Sequence, residues 1–154
     1  MRTLLKLCFF IIALSATAAY ADDSPYIGAI DGTSLLGEYE AFATAYADFT
    51  PSDDELAQMH KLTGKSVLVL FGTWCHDSER EVPRLLKLLA LNKVELAKLE
   101  LVAVDYSKKD DKGLAEQFAL KYTPTFIVLD GETEVLRVVE KPEGSLAEAL
   151  TDFN

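Results

Sequence analysis

Cysteine is scarce in this sequence, which contains only Cys8 and Cys75. Cys8 lies in an N-terminal stretch that we expect to be removed, so Cys75 is the one thiol of the remaining chain. A single thiol cannot form an internal disulfide, and the hydrophobic core must therefore hold the fold unaided. An odd thiol in an exported protein is either buried and inert or exposed and reactive.

Long apolar runs are also lacking, because the run from Leu7 to Ala16 is too short for a membrane-spanning helix. Arg2 and Lys6 precede this run, and the small-x-small sequence Ala19-Tyr20-Ala21 follows it. This is the order of features in a secretory signal peptide. We therefore expect residues 1–21 to be cleaved off, leaving a periplasmic or secreted protein that is not attached to a membrane.

Positive charge is in short supply, with 15 Lys and Arg against 25 Asp and Glu. Cleavage would remove Arg2 and Lys6 and no acids, leaving 13 basic residues and a net charge of −12. So negative a chain is not expected to bind nucleic acid or anionic membranes. The remaining 133 residues suit one domain with one core, and we expect a monomer.

Residues 22–60 are predicted to form an N-terminal helical extension. After an irregular lead-in, one amphipathic helix is indicated by apolar residues at helical spacing, namely Leu35, Tyr39, Phe42, Tyr46 and Phe49. Ser52 and Glu55 form a capping box that opens a second helix, and Gly64 closes it. This extension is expected to supply an extra helical layer or an edge strand.

The rest of the chain alternates strands with helices. Four strands are predicted, at residues 65–72, 99–104, 125–129 and 134–139. A helix follows each of the first two strands, the second capped by Asp111, and a last helix opens at Ser145. In the first of these helices Arg80 and Arg84 are expected to face water. The pattern predicts an α/β fold, a mixed sheet with helices on both faces.

Cys75 sits where the first strand gives way to a helix. Free backbone N–H groups and the helix dipole favour a thiolate at such a junction. A protonated His76 would add to this effect, whereas Asp77 and Glu79 would oppose it, and we expect a net stabilisation of the thiolate. Because Cys75 and His76 are adjacent, they cannot easily reach one tetrahedral ion, so we expect no metal site.

Four features together resemble the thioredoxin superfamily. Trp74-Cys75 opens a helix, Pro83 falls eight residues after the cysteine, and Thr123-Pro124 precedes a strand. A hairpin and a terminal helix then follow in the order of that family. The resemblance implies a thioredoxin-like domain over residues 61–154, with a cis peptide bond before Pro124.

The resemblance also implies the roles of the site residues. The family's usual Cys-x-x-Cys appears here as Cys75-His76-Asp77-Ser78, so the attacking thiol is Cys75 and Ser78 stands at the position of the resolving cysteine. A serine hydroxyl can donate a hydrogen bond to a thiolate but cannot displace a sulfur. Val69 replaces an aspartate that many thioredoxins bury in the preceding strand. The substrate groove is assigned to Trp74, His76, Asp77, Thr123 and Pro124.

These assignments predict a protein that exchanges thiols and disulfides through Cys75. It would form mixed disulfides with protein thiols, or with glutathione as co-substrate, and would need an external thiol for release; no resident cofactor is expected. The alternative is a non-catalytic module that holds a polypeptide in the cis-proline groove. A reactive, exposed Cys75 favours the first function, and a buried, inert one favours the second.

Overall fold

A computed structural model describes residues 24–153, so the predicted signal peptide lies outside the described part of the chain. The described residues contain a five-stranded sheet in the order β1-β3-β2-β4-β5. The strands are β1 Gly28–Ala29, β2 Ser66–Phe71, β3 Lys98–Ala103, β4 Thr125–Asp130 and β5 Thr133–Val139. β2 and β3 are parallel, and the other neighbours are antiparallel. The predicted mixed sheet is confirmed.

Six α-helices surround this sheet in the described residues, and none of them is long and apolar enough to cross a membrane. They are α1 Gly32–Glu38, α2 Glu40–Asp48, α3 Asp53–Met59, α4 His76–Asn92, α5 Leu114–Gln117 and α6 Leu146–Thr151. A single 3-10 turn, His60–Leu62, extends α3. The predicted capping box at the start of α3 is present, with Ser52 and Glu55 bonding each other's backbone N–H groups.

β2 is buried on both faces and is the centre of the sheet. Its odd-numbered side chains, Val67, Val69 and Phe71, join the large core formed with most of the helices. Its even-numbered side chains, Leu68 and Leu70, join a smaller cluster on the other face, beneath α5. Because successive residues of a strand point to opposite faces, this continuous apolar run fills both layers. The strand therefore delivers the residues that follow Phe71 to a fixed position at the sheet's end.

The single helix predicted from Leu35 to Phe49 is wrong, because Tyr39 divides it into α1 and α2. Tyr39 has extended backbone angles, φ −118° and ψ 101°. Gly37 lies just before the break and is a poor helix former. The aromatic rings pack edge-on in series, with centroids 6.0 Å apart from Tyr39 to Phe42 and 5.9 Å apart from Phe42 to Phe71. This packing ties the helical layer to the end of β2.

The N-terminal segment supplies both of the features that were left open, a helical layer and an edge strand. β1 consists of only two residues and pairs antiparallel with the carboxyl end of β3. The amide of Ile30 extends this pairing by donating to the carbonyl of Leu101. Among residues 24–153, the edge of β3 is therefore covered only near the end of the sheet that carries Cys75.

Asp111 does not cap α5 as predicted, because the N-cap residue is Gly113 and the first helical amides are bound by the carboxylate of Asp110. The Asp110 carboxylate accepts backbone hydrogen bonds of 2.7–3.1 Å from Lys112, Leu114 and Ala115. Burial alone would raise the pKa of Asp110, but these three donors outweigh it and hold the pKa below the ordinary value. The helix is also shorter than predicted, with four residues.

Asp111 has a different neighbour, since it packs against Gly28 of β1. Gly28 has φ +106°, and a Cβ atom there would lie 3.1 Å from the Asp111 carboxylate. Two adjacent aspartates are equivalent in a sequence pattern, whereas in the structure the chain turns through Gly113, at φ +78°, and Asp110 reaches the helix. The pairing of β1 with β3 thus depends on a close approach that glycine permits.

The C-terminal elements follow the prediction. The β4–β5 hairpin turns at Gly131, with φ +60°. The hydroxyl of Ser145 accepts a hydrogen bond from the Glu148 amide and caps α6. α4 continues through Pro83 as a single helix.

Candidate active site

A short loop carries the chain from β2 to Cys75. The Cys75 amide donates to the carbonyl of Gly72, 3.1 Å away, and its carbonyl accepts from Glu79 in the first turn of α4. Cys75 is the N-cap residue of this helix and is half-buried. A Cβ atom at Gly72 would lie 2.7 Å from the Trp74 ring, so this turn requires glycine.

Cys75 is joined to the loop before β4. Its Sγ donates a hydrogen bond to the carbonyl oxygen of Thr123, at 3.0 Å. The Thr123–Pro124 peptide bond is cis, and both residues are buried. The structure therefore brings together Cys75, Thr123 and Pro124, which the sequence analysis assigned to one site.

Ser78 has a structural contact. It is fully buried, and its hydroxyl oxygen accepts a hydrogen bond from the Gly72 amide at 3.2 Å. No hydrogen bond joins it to Cys75 in the described part of the chain. Val69, in the strand below, is also fully buried. The hydroxyl at the resolving position therefore braces the loop that carries the thiol.

Aromatic side chains flank the thiol. The Trp74 indole N–H donates to the carbonyl of Val104 at 3.1 Å, and its ring lies 5.1 Å from the ring of Tyr106. Tyr106 is 60% exposed, and Tyr122, directly before Thr123, is 55% exposed. Sequence reasoning missed both tyrosines, although an aromatic residue within a charged loop is a signal that could have drawn attention to Tyr106.

His76 and Asp77 lie on the first turn of α4. The imidazole is 90% exposed, with Nδ1 3.3 Å from the Glu79 carboxylate. The Asp77 carboxylate accepts a 2.6 Å hydrogen bond from the guanidinium of Arg80. His76 is thus free to meet a ligand, whereas Asp77 is engaged within its own helix.

Glu81 is a buried carboxylate that sequence reasoning also missed. It is fully buried, and its Oε1 accepts from Arg80 at 2.7 Å and from Arg84 at 3.2 Å. Its Oε2 has no hydrogen-bond partner within the described residues. The hydrogen bond to Glu81 raises the pKa of Arg80 above its ordinary value. The two arginines, with side chains 29% and 36% exposed, cover this carboxylate instead of facing water as expected.

Within residues 24–153 no group of three His, Cys, Asp or Glu side chains is placed to hold a metal ion. What the site offers is one thiol at a helix N-terminus, bonded to the carbonyl before a cis-proline at the end of a mixed sheet. This arrangement defines the class of thioredoxin-like α/β proteins. The family model described as Thioredoxin matches residues 37–153, and the chain belongs to the thioredoxin superfamily.

Similar proteins are known from sequence and from structure. The chain is 34% identical over 100 residues to the thiol-disulfide oxidoreductase ResA of Geobacillus thermodenitrificans. That match covers 62% of the chain and 55% of the relative, so the chain spans about half of the relative's length.

Two solved structures resemble this fold. A protein of unknown function from Pseudomonas aeruginosa is 21% identical, with a TM-score of 0.56 and coverage of 77% of this chain and 75% of the other. An HIV epitope-scaffold, also 21% identical, has a TM-score of 0.55 and coverage of 77% and 78%. At this identity, the likeness is one of fold.

Proposed function

We propose that this protein is an exported, single-thiol member of the superfamily that exchanges disulfides through Cys75. The observation that supports this most is the position of the half-buried Cys75 at the N-cap of α4, with its thiol bonded to the Thr123 carbonyl 3.0 Å away. The similarity to a thiol-disulfide oxidoreductase supports the same chemistry. Its partners are protein thiols or disulfides, with glutathione as the low-molecular-weight alternative.

The first step is an exchange between Cys75 and a substrate disulfide. The Cys75 thiol loses its proton to solvent, and its sulfur attacks one sulfur of the substrate. A bond forms between Cys75 and that sulfur, the substrate S–S bond breaks, and the second substrate sulfur leaves as a thiolate that takes up a proton. Cys75 is thereby oxidised, and the leaving sulfur is reduced.

The second step needs a thiol from outside the chain. In a two-cysteine thioredoxin, the resolving cysteine would attack the mixed disulfide. Here Ser78 occupies that position, and a hydroxyl cannot form a disulfide. A second protein thiol or a small thiol must attack the mixed disulfide, forming a new S–S bond with the substrate and returning Cys75 to the reduced form.

Export is the second part of the proposal. It rests on the charged start, the short apolar run and the Ala19-Tyr20-Ala21 site within the first 21 residues. The intact mass of the protein isolated from the envelope of its source cell should correspond to a chain beginning at Asp22. A protein that still carries Met1 would contradict export.

The exchange reaction can be tested with 2,2′-dipyridyl disulfide, a small neutral disulfide that releases 2-thiopyridone when a thiol attacks it. The natural protein should release one equivalent, and the folded Cys75→Ser protein should release none. A natural protein that stays unreactive while folded would favour the alternative function, a non-catalytic module that holds a polypeptide beside Pro124. The Cys75→Ser protein is the matched control because it removes only the sulfur.

A further inference from the structure

A groove of about 570 Å³ separates α2 from the first turn of α4. On the α2 side it is lined by small side chains, Ala41, Thr44 and Ala45, flanked by Glu40 and Asp48. We call it the α2–α4 groove. Because α2 belongs to the N-terminal layer, this groove is built by residues outside the motif that carries the thiol.

The groove begins one residue after the thiol in the chain. Its α4 wall includes His76, the residue directly after Cys75, together with Glu79. α2 has nine residues and is therefore about 13 Å long. An extended polypeptide advances by roughly 3.3 Å per residue, so about four residues beyond a sulfur at Cys75 would span the groove.

Two cations of α4, Arg80 and Lys87, make hydrogen bonds of their own. Arg80 lines the groove, but its guanidinium is bonded to Asp77 at 2.6 Å and to Glu81 at 2.7 Å. Lys87, one of the cations that α4 presents to α2, donates to the carbonyls of Tyr46 and Ala47. The charge of Arg80 is thus offset by two carboxylates, whereas Lys87 is bonded to neutral carbonyls and keeps its charge but is not one of the residues that line the groove.

The acids on the α2 wall are not neutralised. Glu40 and Asp48 are exposed, and neither forms an ion pair with another of residues 24–153. Glu79 faces His76, which carries a charge only when protonated. A groove whose α4 wall starts at His76, one residue after Cys75, and whose α2 wall carries acids unpaired within residues 24–153 complements a positively charged chain.

We propose that the α2–α4 groove receives the polypeptide that flanks the substrate's cysteine, and that it selects lysine or arginine within about four residues of that cysteine. This inference rests on the proposed function and names the substrate class of the same thiol. Glutathione carries a net negative charge and is too short to follow the groove, so it is the disfavoured substrate.

The test compares two peptides that differ only in charge. Each carries one cysteine as a 2-thiopyridyl disulfide, followed by either four lysines or four glutamates. Cys75 attacks the peptide sulfur, the peptide becomes bonded to Cys75, and 2-thiopyridone leaves with the proton. The neutral 2,2′-dipyridyl disulfide reports the intrinsic reactivity of the thiol in every variant.

At 0.1 M salt the lysine peptide should react about tenfold faster than the glutamate peptide, and the ratio should approach one at 1 M salt, where the Debye length is only about 3 Å. Replacing Glu40→Gln and Asp48→Asn together should lower the ratio by about threefold or more. The rate with the neutral disulfide should stay unchanged.

The matched control removes two negative charges at the opposite end of the sheet, with Glu95→Gln and Glu132→Gln. Glu95 bonds through its backbone to Gly64, just before β2, and Glu132 lies in the β4–β5 turn. This control should change the ratio by less than about 1.5-fold, because these sites lie beyond a Debye length of roughly 10 Å at 0.1 M salt.

Three results would overturn the inference. Equal rates for the two peptides, with normal reactivity towards the neutral disulfide, would overturn this inference and leave the proposed function standing. An equal fall in the ratio in the groove variant and the control would assign the preference to net charge and would remove the role of the groove. No reaction with the neutral disulfide would overturn the proposed function and this inference with it.

Discussion

Cys75 and Thr123 lie 48 residues apart in the chain, yet the thiol donates a 3.0 Å hydrogen bond to the Thr123 carbonyl. The partner of the sulfur is therefore the loop before Pro124, and the hydroxyl of Ser78 is turned to the Gly72 amide. Tyr122, directly before Thr123, and Tyr106, beside the Trp74 ring, are both exposed.

Ser78→Cys should convert the protein into a two-thiol enzyme. Residues three apart on a helix are neighbours, and a disulfide tolerates a Cα separation of about 4.4–6.8 Å. The variant should form an internal disulfide under mild oxidation and gain partial activity in the reduction of insulin. The gain should be partial because Val69 offers no buried base to the new thiol, and adding Val69→Asp should raise the rate near neutral pH.

Asp77→Cys is the matched control for this gain. Residues two apart on a helix do not face each other, so this second thiol should not close a disulfide with Cys75. If the folded Ser78→Cys protein stays reduced under the same oxidant, or if both variants oxidise equally, the assignment of Ser78 to the resolving position is wrong.

Ser78→Ala should lower the free energy of unfolding and have little effect on the rate of the exchange reaction. The buried Gly72 amide would lose the hydroxyl that accepts its hydrogen bond, and an unsatisfied buried donor costs about 1–3 kcal/mol. We expect that loss in the free energy of unfolding in urea, with little change in the rate of release from 2,2′-dipyridyl disulfide. A large fall in that rate with unchanged stability would instead give the hydroxyl a direct part in the exchange.

Glu81 is bonded by Arg80 and Arg84, and the stability of the fold should depend unequally on the carboxylate and on the two guanidinium groups. Replacing Arg80→Met and Arg84→Met would leave a fully buried carboxylate without a cation, which costs about 3–5 kcal/mol. Glu81→Gln should cost less, about 1–2 kcal/mol, because the arginines are partly exposed and can be hydrated. Denaturant unfolding of both proteins measures the difference, and a larger loss for Glu81→Gln would contradict it.

Asp110 should contribute stability that is lost in acid. Its pKa in the folded protein lies below the ordinary value of 3.8, so its contribution is fully present above that value. The contribution disappears as the pH falls from the ordinary pKa through the lower, folded one. The stability difference between the natural protein and Asp110→Asn should therefore narrow between pH 6 and pH 3.

Asp111→Asn is the control for this cap, since it removes the same charge from the neighbouring position. That variant should keep the acid-dependent loss of the natural protein, because the carboxylate that binds the α5 amides is intact. The prediction would be contradicted if the stability difference from the natural protein narrowed in acid for Asp111→Asn and did not narrow for Asp110→Asn. That result would assign the capping carboxylate to Asp111, as the sequence predicted.

The sheet could be predicted from the sequence because its evidence is local. A continuous apolar run marks β2, and an Asp-Gly turn marks the β4–β5 hairpin. The break at Tyr39 could not be predicted from periodicity, because Tyr39 and Phe42 keep helical spacing in the sequence. The Phe71 ring that packs on Phe42 comes from a distant part of the chain, so its influence is not visible in a local pattern. The choice between Asp110 and Asp111 depends on a turn, which apolar spacing does not encode.

The site was predictable as a set of residues and less so as a set of contacts. Cys75 and the Thr123-Pro124 pair were identified by motif order. The partner of Ser78 and the burial of Glu81 depend on three-dimensional packing, since a glutamate between two arginines on a helix looks like a solvated face. The α2–α4 groove has no sequence signature, because it arises from small residues on α2 meeting the first turn of α4.

The central claim is that Cys75 forms a mixed disulfide that the chain cannot resolve. Its most direct test follows the covalent complex between the natural protein and a disulfide-bonded polypeptide by intact mass after excess substrate is removed. The complex should persist without external thiol, with one substrate per chain, and should disappear when a thiol is added. Spontaneous return to free, reduced protein in the absence of any external thiol would contradict the claim.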